Sequence, residues 1–400
     1  MITKNTNKCL NCKSTLKKSL INLGKTPIAN NLLSKPTKVK KYNLNARFCE
    51  NCFLVQVNPG LKPRDLFVEY SYQSGHSSTW KKHCDKLSIK IKKMKINRND
   101  LILEVASNDG TQLDSLKKNN FKNIFGIDPS KNLAKVVSQR GHKIICDFFG
   151  FKNAKKFTRK YGKAKIIIAN NVIAHIPDIN DFCSGLLQAI DDNGIIIIEF
   201  HYLIELIKNN EFDTIYHEHH FYHSLYSINK ILINNGLKIY NFDNISTHGG
   251  SIRIYVTKQE NQKKSLSKKL LNQMNYELAM GINKVEFYSK FNKKIKKYKD
   301  SFIKKINILK KNKKIYGYGA AAKSCTFIHY MKLQNHISAI YDKNPYKQGK
   351  FIPNTRIPIL SPSEIKNNKP DFIIVFIWNL KKEILKELKN KKKWKAKIIF

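Results

Sequence analysis

The sequence contains no apolar run approaching the ~20 residues that a helix needs to cross a bilayer. Its first residues, MITKNTNKCLNCK, also lack the apolar core of a secretory signal peptide. These two absences argue against the membrane and secreted classes. They predict a soluble, cytoplasmic protein with no membrane partner.

Acidic residues and arginine are scarce. The chain has 29 Asp and Glu against 74 Lys and Arg, a net charge of +45 in 400 residues. The excess is almost all lysine, is spread along the whole length and accompanies abundant Asn and Ile, as in a protein from an AT-rich genome. We therefore do not expect nucleic acid as a partner, although the charge favours anionic ligands such as a diphosphate. Hydrophobic residues make up 42% of the chain, enough for the cores of two or three domains.

Cysteines are few, but four of them form two C-x-x-C pairs, Cys9 with Cys12 and Cys49 with Cys52. Each pair can place two thiolates on one tight turn, and two such turns close a tetrahedral zinc site. Four sulfur ligands leave no open coordination position, so we expect a structural metal. Cys84, Cys146, Cys183 and Cys325 show no ligand spacing.

The glycine-rich G-x-G-x-x-G loop of dinucleotide-binding folds is absent. Residues 101–112, LILEVASNDGTQ, nevertheless predict a strand, a tight turn and the start of a helix, the place where open α/β sheets bind ligands. A second predicted strand ends at Asp128, close to the offset at which a carboxylate meets a ribose. With Gly110 as the only glycine of the loop, S-adenosylmethionine (SAM) is favoured over a dinucleotide. Asp147 and Phe148, after a third short strand, are candidates to meet the adenine amino group and ring.

The zinc-protease pattern H-E-x-x-H is also absent, although residues 210–223 are rich in histidine. A metal here would need His217 and His219 on one side of an extended segment, plus ligands from elsewhere. We favour instead a general base with orienting partners, Tyr216, Glu218 and His219. His175 follows the apolar strand 164–169, on the face where the ligand should lie.

Three further stretches carry possible binding residues. Residues 65–78 are dense in hydroxyl and aromatic side chains, which suits either a sugar pocket or a packed linker before a helix at 80–94. Residues 247–256 predict a turn with paired glycines and then a strand. After connecting helices at 258–314, residues 314–324 predict a strand, a Gly/Ala turn and a helix, where Gly319 gives room and Lys323 gives charge for a phosphate or diphosphate.

Together these motifs resemble one family, the SAM-dependent C-methyltransferases of nucleotide-linked keto-deoxysugars. The motifs are the four-cysteine domain, EVASNDGT, NNVIAHIPD, EFDTIYHEH, HGGSIR, YGAAAK and DKNPYKQGK. The resemblance implies an α/β protein with a small zinc-binding domain (1–68), a Rossmann-like SAM methyltransferase domain (69–257), and connecting helices with a Rossmann-like domain that binds the nucleotide sugar (258–400). Ala106 stands where the family usually has glycine, and its methyl group is tolerable there if φ is negative.

Carried over by motif, the resemblance implies a role for individual residues. His219 would be the general base, Tyr216 and Glu218 would lie beside the sugar, His175 would lie near the reacting carbons, and either Tyr70 or Tyr72 would face the substrate. The implied SAM site comprises Glu104, Ser107, Asn108, Asp109, Gly110, Asp128, Asp147, Phe148 and Asn170. The implied substrate site comprises His248, Gly249, Ser251, Arg253, Gly319, Lys323, Asp342, Asn344, Tyr346 and Lys347.

The predicted function is methyl transfer from SAM to a carbon, C3, next to the ketone of a nucleoside-diphosphate 4-keto-6-deoxyhexose, through an enolate. One alternative is methyl transfer to a hydroxyl or amine of a related sugar, which needs no carbon acid. The other is a zinc-containing nucleic-acid-binding protein, which only the charge supports. The sequence leaves the oligomeric state open.

Overall fold

The computed structural model describes residues 7–57, 61, 66, 73–94, 96–309, 313–390 and 396–399. Its strands are β1 Lys18–Thr26, β2 Tyr42–Phe48, β3 Val55–Val57, β4 Ile102–Val105, β5 Ile124–Ile127, β6 Lys143–Ile145, β7 Ala164–Asn170, β8 Ile190–His201, β9 Phe221–Tyr222, β10 Leu237–Ile245, β11 Ser251–Lys258, β12 Ile315–Tyr318, β13 Ile340–Tyr341, β14 Ile359–Leu360, β15 Phe372–Val375 and β16 Lys397–Ile399. Its α-helices are Ser78–Lys92, Thr111–Lys118, Lys131–Gln139, Phe151–Tyr161, Ile179–Ala189, Leu203–Lys208, Leu225–Asn234, Lys268–Ala279, Val285–Leu309, Ala322–Tyr330, Ile365–Asn368 and Lys381–Asn390.

The central sheet has seven strands in the order β10-β11-β8-β7-β4-β5-β6. Strands β4 to β8 are parallel, whereas β11 runs antiparallel between β8 and β10. The parallel strands are continuous apolar runs because helices cover both faces of the sheet. Ile166 to Ile168 of β7 and Ile196 to Ile198 of β8 are accordingly fully buried.

The amino-terminal sheet is antiparallel, in the order β1-β2-β3-β9. Its last strand, β9, comes much later in the chain than the other three and follows β8 of the central sheet. It pairs Phe221 with Gln56 and Tyr222 with Val55. The long helix Val285–Leu309 also packs on this sheet, where the rings of Tyr288 and Phe48 stack with centroids 4.1 Å apart. Strand β9 thus ties the segment before it to the amino-terminal sheet.

The carboxy-terminal sheet has five parallel strands in the order β14-β13-β12-β15-β16. This confirms the predicted second βαβ unit, with β12, a Gly/Ala turn and the helix Ala322–Tyr330 in the expected places. The predicted helices between residues 258 and 314 are also confirmed. Within the described ranges no helix is long and apolar enough to cross a membrane.

Candidate functional site

The four cysteines of the two C-x-x-C pairs converge, with their sulfur atoms within 4.8 Å of one another. The Sγ–Sγ distances are 3.6 Å from Cys9 to Cys52 and 3.4 Å from Cys12 to Cys49, near the ~3.8 Å edge that a tetrahedron with Zn–S bonds of ~2.3 Å requires. Each turn is closed by a residue in the left-handed region, Lys13 at φ 61° and Phe53 at φ 57°. The donor set fits a structural Zn²⁺, as predicted.

The loop after β4 is tightly wound. Ala106, Asn108 and Gly110 all have positive φ, at 56°, 49° and 79°. The condition under which the Ala106 methyl group would be tolerated, a negative φ, is therefore not met, because the turn places that residue in the left-handed conformation. Asp128 holds the loop, since its Oδ2 accepts a 2.9 Å hydrogen bond from the Asn108 N–H.

Polar side chains without partners collect at the carboxyl ends of the neighbouring strands β4 and β7. Among the described residues no hydrogen-bond partner exists for Glu104 Oε2, for Ser107 Oγ or for either amide atom of Asn170, all of them buried. Because unpaired buried polar atoms are costly, these groups indicate that a polar ligand binds here. Burial, reinforced by the charges of Asp109 and Asp128, raises the pKa of Glu104 well above its usual value. A cationic ligand such as SAM would relieve that repulsion, so the residues fit the cofactor.

Asp109 does not point into this space. Its carboxylate accepts hydrogen bonds from Ser74 Oγ (2.9 Å), the Gly75 N–H (2.7 Å) and Thr111 Oγ1 (2.7 Å). Asn108 Oδ1 accepts from the Ser74 N–H (3.0 Å). The two side chains therefore hold the segment at residues 74 and 75 over the loop.

The remaining predicted cofactor residues are less enclosed. Asp147 is exposed, and its carboxylate accepts from the N–H of Phe148, whose ring is half-buried. Their contact with adenine stays a prediction.

The predicted base lies where the loop after β7 meets the segment before β9. His219 Nε2 and the Tyr216 hydroxyl share a 2.7 Å hydrogen bond, and the rings of His219 and His175 meet edge to face at 4.7 Å. His175 Nδ1–H donates to the Glu218 carbonyl at 2.7 Å, which sets its tautomer. Burial lowers the pKa of His175, so its imidazole is neutral at pH 7. The structure thus brings His175 next to His219 and its partner Tyr216, which lie more than forty positions later in the chain.

The other members of this segment face elsewhere. Glu218 is buried, and its Oε1 accepts from the Asn30 N–H (3.1 Å) in the amino-terminal part of the chain. His217 Nε2 lies 3.2 Å from the Tyr42 carbonyl, and burial lowers the pKa of His217 to about 4. The described residues form no metal-binding group around these histidines; the four cysteines are the cluster found.

The HGGSIR motif forms a 3-10 turn followed by β11. Ser251 Oγ donates to the Thr247 carbonyl, and Gly249 (φ 95°) leaves no room for a side chain because Trp378 and Glu211 crowd its α-carbon. Arg253 is engaged by Glu199, with Nη2 2.6 Å from Glu199 Oε2. The side chain of His248 lies outside the described part of the structure, as do Tyr70 and Tyr72.

In the carboxy-terminal domain, Asp342 closes the turn at Gly319. Asp342 accepts from the backbone N–H groups of Ala320 (2.7 Å) and Asn344 (2.8 Å). Lys347 Nζ donates to the Ala320 carbonyl at 2.8 Å. Asn344 Oδ1 accepts from the N–H of Tyr346, whose side chain is 58% exposed.

Lys323 stands at the start of the next helix. Its Nζ donates to Asn379 Oδ1 (2.9 Å) and lies 4.1 Å above the Trp378 ring.

Sequence reasoning missed two buried groupings. One is His83, Glu199 and Arg253, in which burial raises the pKa of Glu199 but the hydrogen bond from His83 and the charge of Arg253 outweigh it and hold the pKa below its usual value. The other pairs Trp378 with Asp213. Their positions in the sequence could have indicated them. Glu199 lies near the carboxyl end of an apolar strand, and Trp378 follows another apolar strand.

Three sequence-family models match the chain in order. They describe a putative zinc binding domain (residues 9–67), a methyltransferase domain (78–241) and a C-methyltransferase C-terminal domain (246–400). The C-methyltransferase NovU of Streptomyces niveus is 28% identical over 374 residues, which cover 92% of this chain and 88% of that protein.

Solved methyltransferases match less than half of the chain, and more distantly. Magnesium protoporphyrin IX methyltransferase of Synechocystis, with bound SAH, is 16% identical, with a TM-score of 0.35 over 44% of this chain and 82% of its own. A SAM-dependent methyltransferase of Clostridium acetobutylicum is 14% identical, with a TM-score of 0.36 over 44% of this chain and 89% of its own. The three matched domains and the four-cysteine cluster together identify the chain as a SAM-dependent C-methyltransferase with an amino-terminal domain suited to bind zinc.

Proposed function

We propose that the enzyme methylates C3, next to the ketone, of a nucleoside-diphosphate 4-keto-6-deoxyhexose. The observation that carries this proposal is the cluster of Tyr216, His219 and His175 beside the carboxyl end of β7. A C–H bond next to a ketone is acidic enough to lose its proton to a neutral imidazole, provided that a donor stabilises the enolate oxygen.

The cluster can supply both functions. His219 accepts the C3 proton at Nδ1 when its Nε2–H donates to the Tyr216 oxygen; that hydrogen bond keeps the imidazole oriented, and the Tyr216 O–H donates to the enolate oxygen. His175, neutral with its proton on Nδ1, lies against the His219 ring and can act there only as an acceptor through Nε2. Bound SAM supplies an electrophilic methyl group for the enolate carbon. Glu104, Ser107 and Asn170 would hold SAM at the adjoining strand ends.

The test is mass spectrometry of a panel of nucleoside-diphosphate 4-keto-6-deoxysugars incubated with purified enzyme and SAM in D₂O. We expect a gain of one methyl group, which NMR then maps to C3. Without SAM, deuterium should enter the same carbon. Methyl transfer without this exchange would favour a hydroxyl or amine acceptor. No mass gain on any sugar would contradict the proposed substrate class.

The His219→Asn variant tests the base. Because general-base catalysis contributes about 10²–10⁴-fold, this change should reduce C–H exchange by at least two orders of magnitude while SAM binding, measured by calorimetry, is retained. His142→Asn is the matched control: His142 bonds to Asp114 near the amino end of β6, and exchange should be unchanged. Retained exchange in the His219 variant would refute the assignment.

A further inference from the structure

The segment that carries the base is bonded to the carboxy-terminal domain immediately before Tyr216. Trp378 Nε1–H donates to Asp213 Oδ2 at 2.9 Å, and Thr326 Oγ1–H donates to the Ile215 carbonyl at 3.1 Å. Asp213 is buried, with 3% of its surface exposed. Two independent hydrogen bonds therefore cross between the domains within three residues of the chain.

Aromatic packing reinforces the same contact. The Phe212 ring lies 5.6 Å from Phe327 and 5.2 Å from Tyr330, centroid to centroid. Both rings belong to the helix Ala322–Tyr330, which also carries Thr326. The start of the base segment thus rests on one helix of the carboxy-terminal domain.

Lys323 lies in the first turn of that helix and connects it to Trp378. Its ammonium group sits 4.1 Å from the Trp378 ring centroid and is attracted to the ring face. The positive charge of Lys323 also acts on Asp213. Lys323, Trp378 and Asp213 are consequently a continuous chain of contacts from the predicted diphosphate site to the segment that carries Tyr216 and His219.

We propose that Trp378 is a positioning residue that couples nucleoside-diphosphate binding at Lys323 to the placement of the base segment. This inference rests on the proposed nucleotide-sugar substrate. A diphosphate would replace Asp213 as the main counterion of Lys323, and the indole would transmit the new arrangement through its N–H to Asp213. The binding free energy of the nucleotide, remote from the reacting carbon, would then be used to order the base. By linkage, ordering the base segment strengthens nucleotide binding to the same degree.

Hydrogen–deuterium exchange mass spectrometry of the full chain tests the coupling without any turnover. The probes are UDP and TDP, and the readout is amide exchange across residues 211–222. In the wild type we expect either nucleotide to slow this exchange about tenfold, within the usual range of coupling between sites. Trp378→Phe keeps a ring face for Lys323 but loses the N–H donor. The variant should still bind nucleotide, measured by calorimetry. Nucleotide should, however, slow its amide exchange across residues 211–222 by only about twofold or less.

Two further variants keep the outcome decisive. Thr326→Val removes the second interdomain hydrogen bond to the same segment and should also reduce the slowing. Tyr298→Phe keeps the aromatic ring that faces Phe212 at 6.4 Å and should behave as the wild type. If Trp378→Phe does not fold, by circular dichroism, Asp213→Ala, which removes the acceptor of the same hydrogen bond, takes its place.

The possible failures are distinguishable. If neither nucleotide binds the wild type, the proposed nucleotide-sugar substrate fails, and the coupling fails with it. If nucleotide binds and slows exchange equally in the wild type and in the Trp378 variant, or in the Asp213 variant that replaces it, the coupling through Trp378 is overturned and the proposed substrate stands.

Discussion

At the scale of single residues, Ala106 carries backbone strain in the predicted SAM loop after β4. Its φ of 56° costs an L-residue about 1–2 kcal/mol, whereas glycine adopts this conformation freely but loses about 0.5–1 kcal/mol of conformational entropy. We therefore expect Ala106→Gly to raise the free energy of unfolding by about 0.5–1 kcal/mol, measured by urea denaturation. Ala134→Gly, the same change inside the helix Lys131–Gln139, should lower it. A lower free energy of unfolding for Ala106→Gly than for the wild type would contradict the inferred backbone strain.

Asp213 gives a prediction for pH. Burial, partly offset by Lys323, raises the pKa of Asp213 from 3.8 to about 6. A carboxyl group with a raised folded-state pKa contributes stability that is complete below pH 3.8 and is lost as the pH rises through 6. Asp213→Asn should therefore be more stable than the wild type at pH 7–8, by up to about 3 kcal/mol. Thermal melts should show this difference closing toward pH 4, and a difference independent of pH would contradict the assignment.

At the scale of elements, the helix Leu225–Asn234 depends on a carboxylate from another helix. Glu277 accepts from the backbone N–H groups of Leu225 (2.8 Å) and Tyr226 (2.7 Å), which have no partner within their own helix. Glu277→Ala leaves both donors, one buried and one partly buried, unpaired and should destabilise the protein by about 2–4 kcal/mol, measured as a lower urea midpoint. Glu286→Ala, at an exposed position on the next helix, should change it by less than about 0.5 kcal/mol. Equal effects of the two changes would contradict this role.

At the scale of the whole molecule, the zinc domain supports the active site through the sheet. Strand β3 follows Cys52 closely and pairs with β9, and the Val57 N–H donates to the carbonyl of His220, directly after the proposed base (2.8 Å). Loss of zinc should therefore displace the proposed base, even though a metal held by four thiolates has no open coordination position for chemistry.

The Cys49→Ser variant tests this support. It should lose zinc by elemental analysis and slow methyl transfer more than about tenfold, because small displacements of catalytic groups are costly. SAM binding should persist. Cys146→Ser, at an exposed cysteine outside the cluster, serves as the control and should keep both zinc and activity. Full activity in a zinc-free Cys49 variant would show that the domain is dispensable.

Much of the fold could be predicted from local pattern. The strands β7 and β8 are apolar runs bounded by polar turns, and the two C-x-x-C pairs have the spacing of a closed zinc site, so both were predictable without knowledge of distant contacts. Tyr216 and His219 are three residues apart, and their hydrogen bond follows from one short segment.

Other features were decided by tertiary structure. Asp109 lies in the predicted cofactor motif, but its carboxylate accepts hydrogen bonds from Ser74 and Gly75, which are far from it in sequence. The positive φ of Ala106 follows from the turn between β4 and its helix. The Trp378–Asp213 bond joins residues 165 positions apart. The sequence by itself determined the elements and the chemical types present, because these depend on neighbours along the chain. Which carboxylate is free for a ligand and which is used to bind another domain depended on packing across the chain, and only the tertiary structure decided it.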